Sequence, residues 1–349
     1  MSHGLRNGLI QGLKLSIAGG LVYWMVSSGK LDFKELGILL TDGRMLAGII
    51  GVWILGPCIL GACRWKLLLD GVGYHISFRR AVSLQMTGFF FNSAMPGSVG
   101  GDLVKVLYVI RDNKEKGKTP AMMSVALDRI LGMFGLFTIG GLIVALNFSG
   151  VWAITELRPL VVFTLVFLAS LVVFFALVFA PFQPPQWLQR LADRPFPGRS
   201  AILGIVAAVQ NYREAKSALV KAWLLSITVQ SLFFCLFYFL SLRLAEGVVV
   251  FKDLASILPI GFLATALPLA PGGLGVGHVA FDKLFQMIGL VGGANVFNAF
   301  ILSQMALNLL GVIPYLTLKK KEPLAPSKPV TRDSAPDPSA LPPLRDASP

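Results

Sequence analysis

Two apolar regions of the chain are interrupted in the middle, one by MPGSVGG at residues 95–101 and the other by PGGLGVG at residues 271–277. The first region covers residues 81–110 and the second covers residues 254–291. Each flank of an interruption has about 10–15 residues, too few at 1.5 Å per residue to cross about 30 Å of hydrocarbon. The sequence therefore predicts that both regions are re-entrant pairs of half-helices, which enter the membrane and turn back.

The composition is typical of a membrane protein. Of the 349 residues, 55% are hydrophobic and 14% are charged, whereas a soluble domain has about 25% charged residues. A spanning helix needs about 20 apolar residues. Uninterrupted apolar segments of that length occur near residues 8–27, 45–63, 121–147, 159–180, 219–242 and 297–318. The predicted fold class is all-α: a polytopic membrane protein with about six spanning helices plus the two re-entrant pairs.

The distribution of positive charge predicts the orientation of the chain. The net charge is +13, and Lys and Arg cluster in the connecting segments 64–80, 111–120, 181–218 and 319–321. The positive-inside rule places these segments and both termini in the cytoplasm, provided that each interrupted region returns to the side that it entered. We therefore expect a multi-pass protein of the cell inner or plasma membrane.

With this orientation, the two re-entrant pairs enter from opposite faces of the membrane. Their turns share the pattern PGxxG, at residues 96–100 and 271–275. Similar elements of opposite orientation are typical of an inverted repeat, and transporters commonly bind their substrate at the junction of such repeats. A coincidental match between two glycine-rich turns is the alternative.

Two parts of the chain differ in composition. Residues 1–320 form the predicted transmembrane domain. Residues 321–349 are rich in Pro, Ser and Asp and lack periodic apolar positions, so they are predicted to be a disordered cytoplasmic tail.

The three Cys and three His have no metal-ligand spacing, and the nucleotide-binding pattern GxxxxGK(S/T) is absent. The sequence therefore predicts no metal and no other cofactor.

The two interruptions are the centre of the predicted lipid-binding site. Irregular backbone at membrane depth must be buried in protein or line a wet cavity, and the start of the half-helix after each turn attracts anions. Glycine lets the backbone approach a phosphate closely. The predicted substrate-binding residues of the turns are Pro96, Gly97, Gly100, Gly101, Pro271, Gly272, Gly273, Gly275 and Gly277.

Polar side chains flank the first turn. Asn92 and Gln85 are expected on one face of the helix before it, and Asp102 and Lys105 share a face of the helix after it. We predict that Asn92, Asp102 and Lys105 contribute to the lipid site, with Lys105 binding the phosphate. The alternatives are an N-cap role for Asp102 and a snorkelling side chain for Lys105.

Asp128 and Arg129 lie inside the span predicted near residues 121–147. An ion at that depth costs about 2.5–3.5 kcal/mol unless it is paired or hydrated. We expect Arg129 to bind the lipid phosphate, with Asp128 or Asp102 as its counter-ion in the empty state. A static ion pair that holds helices together is the alternative.

Near the second turn, His278 and Asp282 share a helix face and complete the predicted site. His278 is a candidate proton acceptor, and a hydrogen-bonded packing role is the alternative. Earlier in the chain, Arg64-Trp65-Lys66 follows a predicted span and is interpreted as an interfacial anchor.

The sequence also contains the stretches NSAMPGSVGGDLVK at residues 92–105, SVALDRILG at residues 124–132 and LPLAPGGLGVG at residues 267–277. Together with the weaker match RWKLL at residues 64–68, they resemble the flippase-like family, the membrane domain of lysylphosphatidylglycerol synthases and its stand-alone relatives. The resemblance covers residues 1–320. It implies movement of lipids across the bilayer, such as aminoacylated phospholipids or polyprenyl-phosphate-linked carriers.

The resemblance also implies that the two proline-glycine turns and the Asp128-Arg129 pair form the lipid path. The family often has an acidic residue where this chain has His278. The soluble aminoacyl-transferase domain of the full synthase is not recognisable, so we do not expect this chain to make a lysyl-lipid.

The sequence thus favours a flippase or scramblase for a phosphate-bearing lipid, and not an enzyme. The alternatives are a membrane-embedded lipid-linked glycosyl- or phosphotransferase and an accessory subunit of a lipid-modifying enzyme. No paired carboxylates or nucleophile–base set at membrane depth favours the transferase. Membrane lipids are the expected partners and nucleic acid is not, while a homo-oligomer and a separate lipid-modifying enzyme stay open.

Overall fold

The described part of the chain is almost entirely helical, and no strand occurs in it. One isolated pair of backbone hydrogen bonds joins Glu246 and Val291. The computed structural model describes residues 41–94, 100–113, 118–179, 215–266 and 275–318, with Tyr212 and the isolated positions Ser16, Gly20, Tyr23 and Ser27. The predicted tail at residues 321–349 lies outside these residues. The all-α fold class is confirmed.

The described part of the chain contains nine main helices. In chain order they are α1 (Gly43–Gly71), α2 (Phe78–Ala94), α3 (Gly100–Asp112), α4 (Lys118–Leu146), α5 (Arg158–Phe179), α6 (Lys216–Leu244), α7 (Phe251–Ala266), α8 (Val276–Met287) and α9 (Gly293–Thr317). A short helix, Phe148–Ala153, and a 3-10 turn, Thr155–Leu157, connect α4 to α5.

Five of these helices are long and apolar enough to cross a membrane, namely α1, α4, α5, α6 and α9. They coincide with five of the six predicted spans, which are thereby confirmed. The sixth, near residues 8–27, lies outside the described residues apart from isolated positions. The chain is therefore a polytopic membrane protein.

Helix α1 extends further than its apolar segment predicts. The apolar run ends at residue 63, whereas α1 continues to Gly71 and has 29 residues. Its middle, Ile54–Leu60, is a π-helix that contains Pro57. Proline has no N–H to donate and its ring crowds the preceding turn, so the wider π-helical turn allows the helix to continue through it. As a result, Arg64 lies inside the helix and not at its end.

Helices α2 and α3 form an antiparallel hairpin. The side chain of Asn92, near the end of α2, accepts a hydrogen bond of 2.8 Å from the backbone N–H of Gly101, at the start of α3. At the other end, Arg80 and Asp112 form an ion pair of 2.6 Å. The chain therefore leaves the hairpin on the side where it entered, as a re-entrant pair requires.

Of the four helices that flank the two turns, two are longer than the sequence predicts. Helix α2 has 17 residues and α7 has 16, or about 25 Å each, which is still shorter than about 30 Å of hydrocarbon. Helices α3 and α8, with 13 and 12 residues, have the predicted length. The turns at residues 95–99 and 267–274 lie outside the described residues, so their depth in the membrane and the inverted repeat stay predictions.

Glycines bring the helices into direct backbone contact. A Cβ on Gly101 of α3 would overlap the carbonyl oxygen of Gly88 on α2. A Cβ on Gly135 of α4 would lie 2.6 Å from Cβ of Ser226 on α6 and 2.7 Å from its carbonyl carbon. Small residues at helix crossings are the usual means of close packing in membranes, where the hydrophobic effect does not drive helices together.

We predict that Gly135→Ala lowers the free energy of unfolding by about 1–3 kcal/mol, because the added methyl group overpacks the α4–α6 crossing. Unfolding in detergent micelles, followed by tryptophan fluorescence, measures this change. The matched control is Gly51→Ala in α1, where a Cβ meets no atom within 4 Å and alanine should stabilise the helix by about 0.5–1 kcal/mol. Equal effects of the two substitutions would show that the crossing tolerates a side chain.

Candidate functional site

Arg64 joins three spanning helices through its guanidinium group. Its Nε and Nη2 donate to the two carboxylate oxygens of Asp128 on α4, at 2.7 and 3.0 Å. Its Nη1 donates to Oγ of Ser226 on α6, at 3.1 Å. Gly132, one turn after Asp128, leaves room for the guanidinium, since a Cβ there would lie 3.4 Å from Nη1. The bidentate geometry is the strong form of a guanidinium–carboxylate pair.

The interpretation of Arg64-Trp65-Lys66 as an interfacial anchor is wrong for its first two residues. The side chain of Arg64 is only 11% exposed, and Trp65 is fully buried with its Nε1 donating to Oγ of Ser124. Only Lys66, paired with Asp70, lies nearer the surface. The sequence alone suggests that the span ends at its first charged residue. Arg64 lies inside the span because a carboxylate on another helix neutralises it.

A second charged cluster forms where α3 meets α4. The carboxylate of Asp102 accepts from Nε of Arg129 at 2.5 Å and pairs with Nζ of Lys105 at 3.1 Å. Lys105 also donates to Oε1 of Gln85 on α2 at 3.0 Å and lies 4.7 Å from the ring centroid of Trp65. Helices α1 to α4 thus all contribute to this cluster.

These contacts decide several sequence-based alternatives. Asp102 lies in the first turn of α3 and not before it, and its carboxylate contacts side chains, so the N-cap alternative is wrong. Lys105 is buried, so the snorkelling alternative is wrong. Asn92 and Gln85 both face α3, which confirms that they share a helix face. The two expected counter-ions of Arg129 are Asp128 and Asp102; the structure pairs Arg129 with Asp102 and pairs Asp128 with Arg64.

The two clusters together contain an excess of positive charge. Among the residues that the structure describes, the groups in contact are three cations, Arg64, Lys105 and Arg129, and two carboxylates, Asp102 and Asp128. The side chain of Arg129 is 43% exposed, whereas those of its neighbours are between 5% and 11% exposed. The excess charge is therefore accessible at Arg129. Arginine binds phosphate in a bidentate manner, so this is where an anionic group would be received.

The backbone at the start of α3 differs from the predicted phosphate cradle. Gly101 donates its N–H to Asn92, so this donor is already used. Its lack of a side chain serves the contact with Gly88, as described above. Pro96 and Gly97 lie outside the described residues, as do Pro271, Gly272 and Gly273 of the second turn.

The second predicted element has its own set of contacts. Gly275, with a φ of +83°, precedes α8, and its N–H donates to Nδ1 of His278 at 3.3 Å. The other ring nitrogen lies 3.2 Å from Oδ1 of Asn298 on α9. A neutral imidazole with its proton on Nε2 satisfies both contacts. This geometry matches the packing alternative for His278, and its use as a proton acceptor stays a prediction.

Two further predicted site residues lie in helix-packing or surface positions. A Cβ on Gly277 would overlap the ring of Phe297, so this glycine allows α8 to pack against α9. Asp282 accepts a hydrogen bond of 2.8 Å from the side chain of Gln286, one turn later on α8. Among the residues that the structure describes, no group of three or more His, Cys, Asp or Glu is placed to hold a metal ion.

The comparison with known proteins agrees with the membrane architecture. The chain belongs to the family described as the lysylphosphatidylglycerol synthase TM region, whose model matches residues 11–312. A UPF0104 membrane protein of Pyrococcus horikoshii is 22% identical over 262 residues, which cover 68% of this chain and 76% of the relative. A UPF0104 membrane protein of Methanothermobacter thermautotrophicus is 24% identical over 273 residues, covering 71% and 75%. No solved structure matches the chain significantly.

We predict that Asp128→Ala lowers the free energy of unfolding by about 3–5 kcal/mol, because it leaves the charge of Arg64 buried without its carboxylate. The double variant Arg64→Leu/Asp128→Leu should be about as stable as the wild type, since it removes both charges. Unfolding in detergent micelles measures all the variants.

The matched control for this prediction is Asp70→Ala. Asp70 pairs with Lys66 on the same helix as Arg64, but both side chains are partly exposed, so the loss should be about 0–1 kcal/mol. A double variant as unstable as Asp128→Ala would show that packing, and not the unpaired charge, accounts for the loss.

Proposed function

We propose that this member of the lysylphosphatidylglycerol synthase TM region family moves a phosphate-bearing lipid across the bilayer, and that Arg129 binds the phosphate. The observation that supports the proposal is the excess positive charge of the buried clusters, which is accessible at Arg129. Family membership supports a membrane role connected with lipids. The substrate class is a phospholipid, an aminoacylated phospholipid or a polyprenyl-phosphate carrier.

The proposed binding step is an exchange of anions at Arg129. In the structure, the carboxylate of Asp102 lies 2.5 Å from Nε of Arg129. When a phosphate approaches, Arg129 turns its guanidinium to the phosphate oxygens, and Asp102 keeps Lys105 as its partner at 3.1 Å. A singly charged phosphate then balances the excess charge, which offsets the cost of removing the headgroup from water.

The other ion pair has a different role in the proposal. Arg64 and Asp128 are both nearly buried and hold α1, α4 and α6 together, so they stay paired while the lipid passes. The headgroup moves through the polar interior between the two re-entrant pairs, and the acyl or prenyl chains stay in the surrounding lipid. The start of α3 adds its positive dipole end near Arg129.

We further propose that the protein acts in the cell inner or plasma membrane, with both termini in the cytoplasm, and that it transports lipid without chemical conversion. The basic connecting segments support this orientation. The excess of cations at the site suits binding and release of an anion, which needs no nucleophile. A separate lipid-modifying enzyme would supply the substrate, and a homo-oligomer is compatible with this activity.

We predict that Arg129→Gln reduces lipid translocation at least about tenfold, because one charge-assisted contact with phosphate is lost. The assay uses proteoliposomes with a fluorescent phospholipid, whose outer-leaflet fraction is bleached by dithionite. Arg129→Lys should retain part of the activity, since it keeps the charge but not the bidentate geometry.

The matched control is Arg243→Gln. The side chain of Arg243 is 46% exposed and lies 3.4 Å from the carboxylate of Asp42, so it resembles Arg129 in exposure and in having an acidic partner. Its translocation rate should equal that of the wild type. Full translocation by a correctly folded Arg129→Gln protein would contradict the proposed role of Arg129.

A further inference from the structure

A groove separate from the charged clusters lies between α2, α3 and the end of α9. It encloses about 260 Å³ and is lined by Phe91, Val104, Leu107, Tyr108, Arg111 and Tyr315. Four of these residues follow the spacing i, i+3, i+4 and i+7 on α3, which places them on one face of that helix. The groove therefore runs along α3 for about 10 Å.

The two ends of the groove differ in chemistry. At the Val104 end the lining is aliphatic and aromatic. At the other end, Arg111 lies with its guanidinium 4.4 Å from the ring centroid of Tyr108. Among the described residues, its carboxylate contact is with Asp112 at 3.8 Å, which is longer than a hydrogen bond. Asp112 is engaged instead by Arg80, at 2.6 Å.

The exposure of the groove fits contact with lipid. The side chain of Arg111 is 40% exposed, whereas that of Arg80 is 12% exposed. Leu103 and Leu107 on α3 are exposed although they are large and apolar, as is usual for a helix surface in contact with acyl chains. The groove thus presents one accessible cation beside an apolar surface.

We infer that this groove binds an anionic phospholipid, with its phosphate on Arg111 and part of an acyl chain along Val104 and Leu107. A volume of about 260 Å³ is below the roughly 300–1,000 Å³ of sites that enclose a small molecule, so the rest of the lipid stays in the bilayer. The complementarity of charge at one end and of apolar surface at the other selects a lipid over a free anion. This site does not depend on the proposed translocation.

The test is native mass spectrometry of the purified protein in detergent, titrated with phosphatidylglycerol or phosphatidylcholine of identical acyl chains. All variants carry Arg129→Gln, so that the adducts do not report the proposed transport site. We expect phosphatidylglycerol to bind more tightly than phosphatidylcholine. Arg111→Gln should weaken the binding of phosphatidylglycerol about tenfold and abolish its preference over phosphatidylcholine. Leu107→Trp, which fills the groove, should weaken the binding of both lipids.

The matched control is Arg158→Gln. Arg158 is also exposed and lies 5.6 Å from the ring centroid of Trp152, but it is at the start of α5 and away from the groove. Its variant should bind phosphatidylglycerol as the reference protein does. Unchanged binding by Arg111→Gln, or equal binding of the two lipids by the reference protein, would overturn the inference. Complete displacement of the lipid by inorganic phosphate would do so as well, because the ligand would then be a free anion.

Discussion

A charged side chain inside an apolar helix bundle must be neutralised by a partner, and this requirement governs the arrangement of the helices. Arg64 on α1 is satisfied only when Asp128 of α4 and Ser226 of α6 are both within hydrogen-bond distance. Helix packing in hydrocarbon gains little from the hydrophobic effect. The guanidinium group therefore specifies which helices meet and at which level, while the glycines at the crossings determine how closely they approach.

The two ion pairs are similar in chemistry and differ in access. The pair of Arg64 and Asp128 is nearly buried between packed helices, so it stabilises one arrangement of the bundle. Arg129 has a carboxylate partner too, but nearly half of its side chain is accessible. A third cation, Lys105, gives the described side chains of the set one positive charge in excess. This combination of a fixed pair and an accessible pair separates the structural charges from those available to a ligand.

Much of the fold could be predicted because apolar length and charge clusters depend on local sequence. The five described spans and the all-α class follow from them, as does the sharing of one face by Asn92 and Gln85. The role of Arg64 could not be predicted, because it depends on a carboxylate more than sixty residues away. Similarly, the sequence predicts that Gly101 binds phosphate, whereas in the structure it contacts the backbone of Gly88. This contact depends on the pairing of α2 with α3, which the local sequence does not reveal. Sequence identifies a residue that is unusual in its context, whereas the partner that explains it belongs to the tertiary structure.

The contact between Gly88 and Gly101 has a consequence for leakage of ions through an idle protein. Because backbone meets backbone at this point, no side chain separates α2 from α3 there, and we expect the hairpin to move as one body. The boundary between α3 and α4 is instead closed by Asp102 and Arg129. Opening that boundary without a replacement anion would separate Arg129 from the carboxylate of Asp102, and the lost attraction opposes the opening. In the proposed mechanism the barrier to protons and small ions is thus maintained by the same contact that a lipid phosphate releases.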